Sequence, residues 1–214
     1  MRTAEQVARE RARHWDDVYT RHDDTQVSWF ESDPTCSVEM LDAGGALPDQ
    51  AVIDVGAGAS RLVDVLLARG FTDLTALDVS DGGPARTRAR LGAAADRVRW
   101  VVTDLLDWAP DRRYDIWHDR AVFHFLTDPA DRARYRELLG RALAPGALVV
   151  LATFADDGPE QCSGLPTARY DAAALVAEIG SGFEVVTSAR VVHRTPWAAV
   201  QPFTWLALRQ LHPR

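Results

Sequence analysis

Apolar positions recur with two different periods along the chain. Near the N-terminus Val7, Ala8, Arg11, Ala12, Trp15, Val18 and Tyr19 follow one another at steps of three and four. That spacing predicts a helix with one apolar stripe over residues 1–21. A polar loop (21–26) and a short non-helical stretch carrying Trp29 and Phe30 come next, then a helix over 35–43 that stops at Gly44-Gly45. From Ala51 the pattern changes. Short apolar runs at 51–55, 74–79, 98–102, 114–117 and 147–154 read as strands. Helical patterns fall between them at 60–69, after Pro84 and at 129–143, the last ended by Pro145-Gly146. A structureless loop follows Phe154, Asp171 caps a helix to Ile179, and strands at 183–192 and 201–208 follow without a helix between them. This alternation predicts an α/β fold, a doubly wound, Rossmann-like, mostly parallel seven-stranded sheet with an antiparallel edge strand, preceded by an N-terminal helical segment. One domain is expected over 1–214, with the N-terminal segment at 1–45, a core at 46–155 and a C-terminal part at 156–214.

Composition narrows the partners. A chain of 214 residues with 47% apolar residues can bury a real core. No apolar run is long enough for a membrane span, and the start, Met1 to Glu5, has no apolar signal core. Cys36 and Cys162 are too few for a disulfide framework, so a cytoplasmic protein is expected, with no metal site. A net charge of -7 argues against a general grip on nucleic acid, and Arg86, Arg88 and Arg90 read as a solvated helix face. No Lys and no Asn occur, which excludes Schiff-base chemistry and any site built on an Asn amide.

Ligands of an open parallel sheet bind beyond the carboxyl ends of its strands. There the chain places Asp54-Val55-Gly56-Ala57-Gly58, then Asp78-Val79-Ser80, then Thr103-Asp104-Leu105, then His118-Asp119-Arg120. The glycines allow close backbone approach, and Asp78 stands where a carboxylate can take a ribose diol. A third glycine of the dinucleotide fingerprint is replaced by Arg61. Asp54, directly before the turn, suits an ammonium or sulfonium charge and would repel a pyrophosphate. The ligand expected is a phosphate-free, cationic nucleoside.

The first three of these segments resemble the S-adenosylmethionine-binding motifs of class I methyltransferases over residues 50–155. The resemblance implies that Gly56 and Gly58 face the methionine part, that Asp78 binds the ribose hydroxyls and that Asp104 lies by the adenine amino group. Ala57, Val79, Ser80, Thr103 and Leu105 complete the cofactor set. A narrower resemblance, carried by residues 15–19, 28–30 and 114–121, is to the thiopurine S-methyltransferase and tellurite-resistance methyltransferase group. It implies that the N-terminal segment, 1–45, is a helical lid, that Trp29 covers the cofactor and that Arg120 faces the substrate. Ala121 stands where glycine is common in that group, and His118 looks inserted. The same N-terminal pattern recurs in some protein-lysine methyltransferases.

The expected reaction is methyl transfer from S-adenosylmethionine to a small-molecule acceptor, a thiol or another soft nucleophile. Arg120 is the candidate cation for that nucleophile. A helix beginning near Asp119 would put Arg120 and His124 on one face, with His124 as proton acceptor; His118 is a second candidate base. Alternatively, His124 packs as an aromatic between Phe123 and Phe125, and Asp119 pairs with Arg120. Tyr19, Phe30, Asp119, Arg120 and Phe123 are assigned to the substrate side. The loop carrying Asp156, Asp157 and Cys162, and the segment 193–197, overhang the same face. The protein is expected to be a monomer or weak homodimer without nucleic-acid or membrane partners. Protein-lysine methylation and non-catalytic nucleoside binding stand as the alternative functions.

Overall fold

Seven of the apolar runs pair into one sheet in the computed structural model, which describes residues 4–211. Residues 1–3 of the predicted first helix lie outside the described residues. In chain order the elements are α1 (Ala4–Arg21), α2 (Thr35–Ala43), β1 (Ala51–Val55), α3 (Leu62–Ala68), β2 (Asp73–Asp78), α4 (Gly82–Leu91), β3 (Val98–Val102), β4 (Tyr114–Arg120), α5 (Pro129–Ala142) and β5 (Leu143–Phe154). A small hairpin, β6 (Gln161–Cys162) and β7 (Leu165–Pro166), then precedes α6 (Ala172–Ile179), β8 (Phe183–Arg194) and β9 (Val200–Gln210). No helix among the described residues is long and apolar enough to cross a membrane.

The sheet order is β3-β2-β1-β4-β5-β9-β8. The first five strands are parallel; β9 runs antiparallel to both β5 and β8. The reversed strand therefore lies one place in from the edge. Central strands are buried on both faces: every residue of β1 is buried, as are the last eight of β5. At the edge, β8 alternates between exposed and half-buried residues. Two apolar clusters sandwich the sheet. One holds Trp117, Phe123, Tyr135 and Leu206, the other Ile116, Leu148, Val150 and Trp205. Asp128 and Asp171 cap α5 and α6, accepting from Ala130 N at 2.8 Å and Ala174 N at 2.7 Å.

Three segments depart from the sequence pattern. β4 runs three residues past 117, because His118, Asp119 and Arg120 continue the ladder against Val150, Leu151 and Ala152 of β5. Polar residues look like a strand end in sequence; here their polar atoms find partners inside the fold, so the strand goes on. The helix expected from Asp119 does not form. Ala121 turns left-handed at φ 70°, and only a 3-10 turn, Phe123–Phe125, follows. Pro145-Gly146 sits inside β5, at the register irregularity between Tyr114 and Ile116, rather than ending α5. The loop after Phe154 contains the hairpin β6–β7.

Candidate active site

At the carboxyl end of β1 the chain must turn sharply under α4. Gly56 and Gly58 take φ values of 64° and 51°, where glycine carries no Cβ penalty. Gly83, in the first turn of α4, packs against that turn: a Cβ there would lie 2.7 Å from the Gly58 Cα. Ala57 N donates to Leu77 O at 3.1 Å, so the turn is tied to β2. Asp78 ties it further. Its Oδ2 accepts from Gly58 N and its Oδ1 from Ser80 N, both at 2.9 Å. Burial pushes this carboxyl up to about 6, against the lowering effect of those amides.

A cavity opens above the turn. Asp54, Gly56, Ala57, Gly58, Asp78, Val79, Asp104 and Leu105 line its floor, and Trp15, Tyr19, Trp29, Phe30 and Phe125 roof it. The roof rings meet edge to face: Trp15 lies 5.6 Å from Trp29 and 5.4 Å from Phe125. α1 is held down by ion pairs. Arg11 reaches Asp104 at 3.2 Å and Asp131 at 2.8 Å, and Ser80 Oγ donates to Asp16 at 2.5 Å. Arg86, Arg88 and Arg90 pair with Asp24, Asp81 and Asp64; they are half-buried rather than a solvated face, and Arg86 and Arg90 also donate to Tyr19 O and Ser60 O at the cavity wall.

The three strand-end carboxylates differ in what they leave free. Both oxygens of Asp78 hold backbone amides. Asp104 accepts from Leu106 N at 2.9 Å and from Arg11. Asp54 gives Oδ1 to His118 Nδ1 at 2.7 Å, while its Oδ2 is buried with no hydrogen-bond partner. His118 Nε2 is 2.9 Å from Ser37 Oγ. His118 and Ser37 line the cavity beside Asp54.

On the far side Arg120 stands between this cavity and a second one, lined by Cys36, Val191, His193, Arg194, Phe203 and Trp205; Arg120 and Glu31 line both. Arg120 Nη1 donates to Trp29 O at 3.0 Å, its Nη2 lies 2.9 Å from Glu31, and its guanidinium sits 5.6 Å from the Phe203 ring centre. Burial would raise the Glu31 carboxyl, but the His193 contact and the Arg120 charge hold it below the usual carboxylate range. Burial also pushes the Cys162 thiol up, although Cys162 lines the first cavity.

Several sequence expectations need correction. His124 is fully buried and lines neither cavity. It packs on Phe125 and Phe154 at 4.4 and 4.7 Å, and burial lowers its pKa to about 3. It is a core imidazole, off any face shared with Arg120. Asp119 does not pair with Arg120. It accepts from Val122 N at 2.9 Å, Phe123 N at 3.2 Å and Tyr135 Oη at 2.7 Å, and burial raises its carboxyl to about 6. Phe123 packs on Tyr135 and Tyr170 in the core, off the substrate side. Ser80 and Thr103 are not among the residues that line the cavity. His118 lines the cavity, with Nδ1 2.7 Å from Asp54 Oδ1 and Nε2 2.9 Å from Ser37 Oγ. Arg11, Glu31 and Ser37 are cavity residues that sequence reasoning did not assign. Only Arg11 left a signal, as a cation on the apolar stripe of α1.

Residues 52–146 match the family model described as a methyltransferase domain. The chain has the fold of a class I methyltransferase. Among solved structures, a protein from work on conversion of a disulfide bond into a thioacetal group during echinomycin biosynthesis has 22% identity and a TM-score of 0.73, covering 94% of this chain and 93% of its own. The Burkholderia thailandensis 1,6-didemethyltoxoflavin-N1-methyltransferase, bound to 1,6-didemethyltoxoflavin and S-adenosylhomocysteine, has 19% identity and a TM-score of 0.70, with 99% and 92% covered. The N-methyltransferase NodS from Bradyrhizobium japonicum, in complex with S-adenosylhomocysteine, has 15% identity and a TM-score of 0.72, with 94% and 98% covered. No curated protein matches the chain significantly. In this methyltransferase fold the glycine turn, Asp78 and Asp104 occupy the strand ends at which the sequence reading put them.

Proposed function

We propose that the chain transfers a methyl group from S-adenosylmethionine to a small-molecule acceptor, a thiol or another soft nucleophile. The observation that carries the reading is the free, buried Oδ2 of Asp54 beside the Gly56–Gly58 turn, with Asp78 and Asp104 on the neighbouring strands. A buried carboxylate oxygen without a donor is costly, and a cationic ligand relieves that cost. The donor, when bound, supplies an electrophilic methyl group on a sulfonium. Asp54 would hold its positive end, Asp78 its ribose hydroxyls, and Asp104 the edge of its adenine. Trp15, Tyr19 and Trp29 exclude water above it, which favours alignment over hydrolysis.

The acceptor side supports a nucleophile that arrives ready. His124 is buried in the core and lines neither cavity, so it takes no proton from an acceptor. A thiol with an ordinary pKa near about 8.5 is already partly thiolate, and the Arg120 cation raises that fraction. The solved neighbours that act in echinomycin and toxoflavin chemistry are consistent with a small natural product as acceptor. Calorimetry with S-adenosylmethionine, followed by labelled methyl transfer to a panel of alkyl, aryl and heteroaryl thiols and selenols, tests both halves. Micromolar donor binding and a methylated product are expected. Absence of donor binding overturns the cofactor assignment; donor binding with labelling only in a macromolecular fraction of a lysate overturns the acceptor class.

A further inference from the structure

We propose that His118 is a positioning residue for the methyl donor, aiming the Oδ2 of Asp54 at the donor's positive charge. The proposal rests on the methyltransferase reading above. β1 and β4 are neighbours, and Asp54 and His118 are register partners. Both are buried, at 4% and 2% exposure.

The direction of the hydrogen bonds follows from chemistry. A neutral imidazole donates from one nitrogen and accepts at the other. An ionised Asp54 can only accept, so the Nδ1 facing it at 2.7 Å carries the proton. Nε2 then accepts from the Ser37 hydroxyl at 2.9 Å. The chain Ser37 to His118 to Asp54 thus runs one way and ends on a carboxylate. It engages Oδ1 alone. With Oδ1 fixed and the Cβ set by β1, the rotamer of Asp54 is determined, and Oδ2 is left buried without a partner in a residue that lines the cavity.

The neighbouring carboxylates show that this is not the default at a strand end. Asp78 and Asp104 have both oxygens occupied by amides or by Arg11. Only Asp54, among these three, keeps an oxygen unused. Ser37 belongs to α2, so the same chain of bonds connects the lid region to the donor site.

Two near-isosteric variants separate the two ring nitrogens. The Asn amide of His118→Asn can replace Nδ1 as the donor to Asp54. The longer Gln of His118→Gln places its amide near Nε2 and loses Asp54. Each is titrated with S-adenosylmethionine by calorimetry, with thermal melting as the fold control, and Ser37→Ala serves as a third variant. H118N should bind within about fivefold of the wild type, and H118Q roughly ten- to hundredfold more weakly, the effect of losing a hydrogen bond to a charged group. S37A, which keeps the Asp54 bond, should cost about threefold or less. Equal affinities for folded H118N and H118Q overturn the positioning role while leaving the methyltransferase reading intact. Failure of the wild-type protein to bind S-adenosylmethionine overturns both.

Discussion

The two halves of the site are built differently. On the proposed donor half, the carboxylates sit at the ends of β1, β2 and β3; backbone amides hold Asp78 and Asp104, and only Asp54 and the Oδ2 of Asp104 are held by side chains alone, those of His118 and Arg11. On the acceptor half, the groups come from residues far apart in sequence. Glu31, Arg120 and His193 meet through long side chains between the lid, β4 and β8. A site held by backbone is rigid and local. A site held by ion pairs between distant segments depends on the whole fold closing correctly, and it can diverge without disturbing the donor half.

If the halves are separable, changes in one should leave the other unmoved. Asp78→Ala is expected to have the largest effect. It removes the proposed ribose acceptor and orphans two buried amides, so donor affinity should fall by more than about a hundredfold by calorimetry. Arg120→Met comes next. It leaves Glu31 without its nearer cation and should lower kcat/KM for a thiol acceptor by roughly ten- to hundredfold, with the donor Kd changed by less than about threefold. A matching loss of donor affinity would show that the halves are coupled.

The pH dependence is smaller and has a definite sign. Asp78 titrates at about 6 in the folded protein, and the ribose-binding role proposed for it needs the ionised, accepting carboxylate. Donor affinity should therefore rise about tenfold between pH 5 and 7 and then level off, and Asp78→Asn should flatten the profile. Folding stability goes the other way. Burial penalises the charged forms of Asp78 and Asp119, so their contribution is largest below the ordinary carboxylate range and is lost as pH rises through about 6. The smallest effect is expected from Arg11→Met. The Arg11 guanidinium is partly exposed, and its pairs with Asp104 and Asp131 should contribute about 1 kcal/mol or less to stability in thermal melting. Its loss should speed donor exchange in stopped-flow measurements by a few-fold.

Periodicity alone determined the order of strands and helices, because a strand buried on both faces and an amphipathic helix leave different apolar spacings. It also put Asp54, Asp78 and Asp104 at strand ends that line one cavity, since strand ends in a parallel sheet can be found from sequence. Gly56, Gly58, Asp54, Asp78 and Asp104 were legible for that reason. His118, Asp119 and His124 were not. All three lie within seven consecutive residues of polar and aromatic character, and nothing local says which is buried in the core, which caps a turn and which faces the cavity. Tertiary contacts decided it: Tyr135 and two turn amides took Asp119, Phe154 and Phe125 enclosed His124, and Asp54 with Ser37 took His118. The reason is that burial of a polar side chain depends on which partners arrive from elsewhere in the chain, and a sequence window does not contain them.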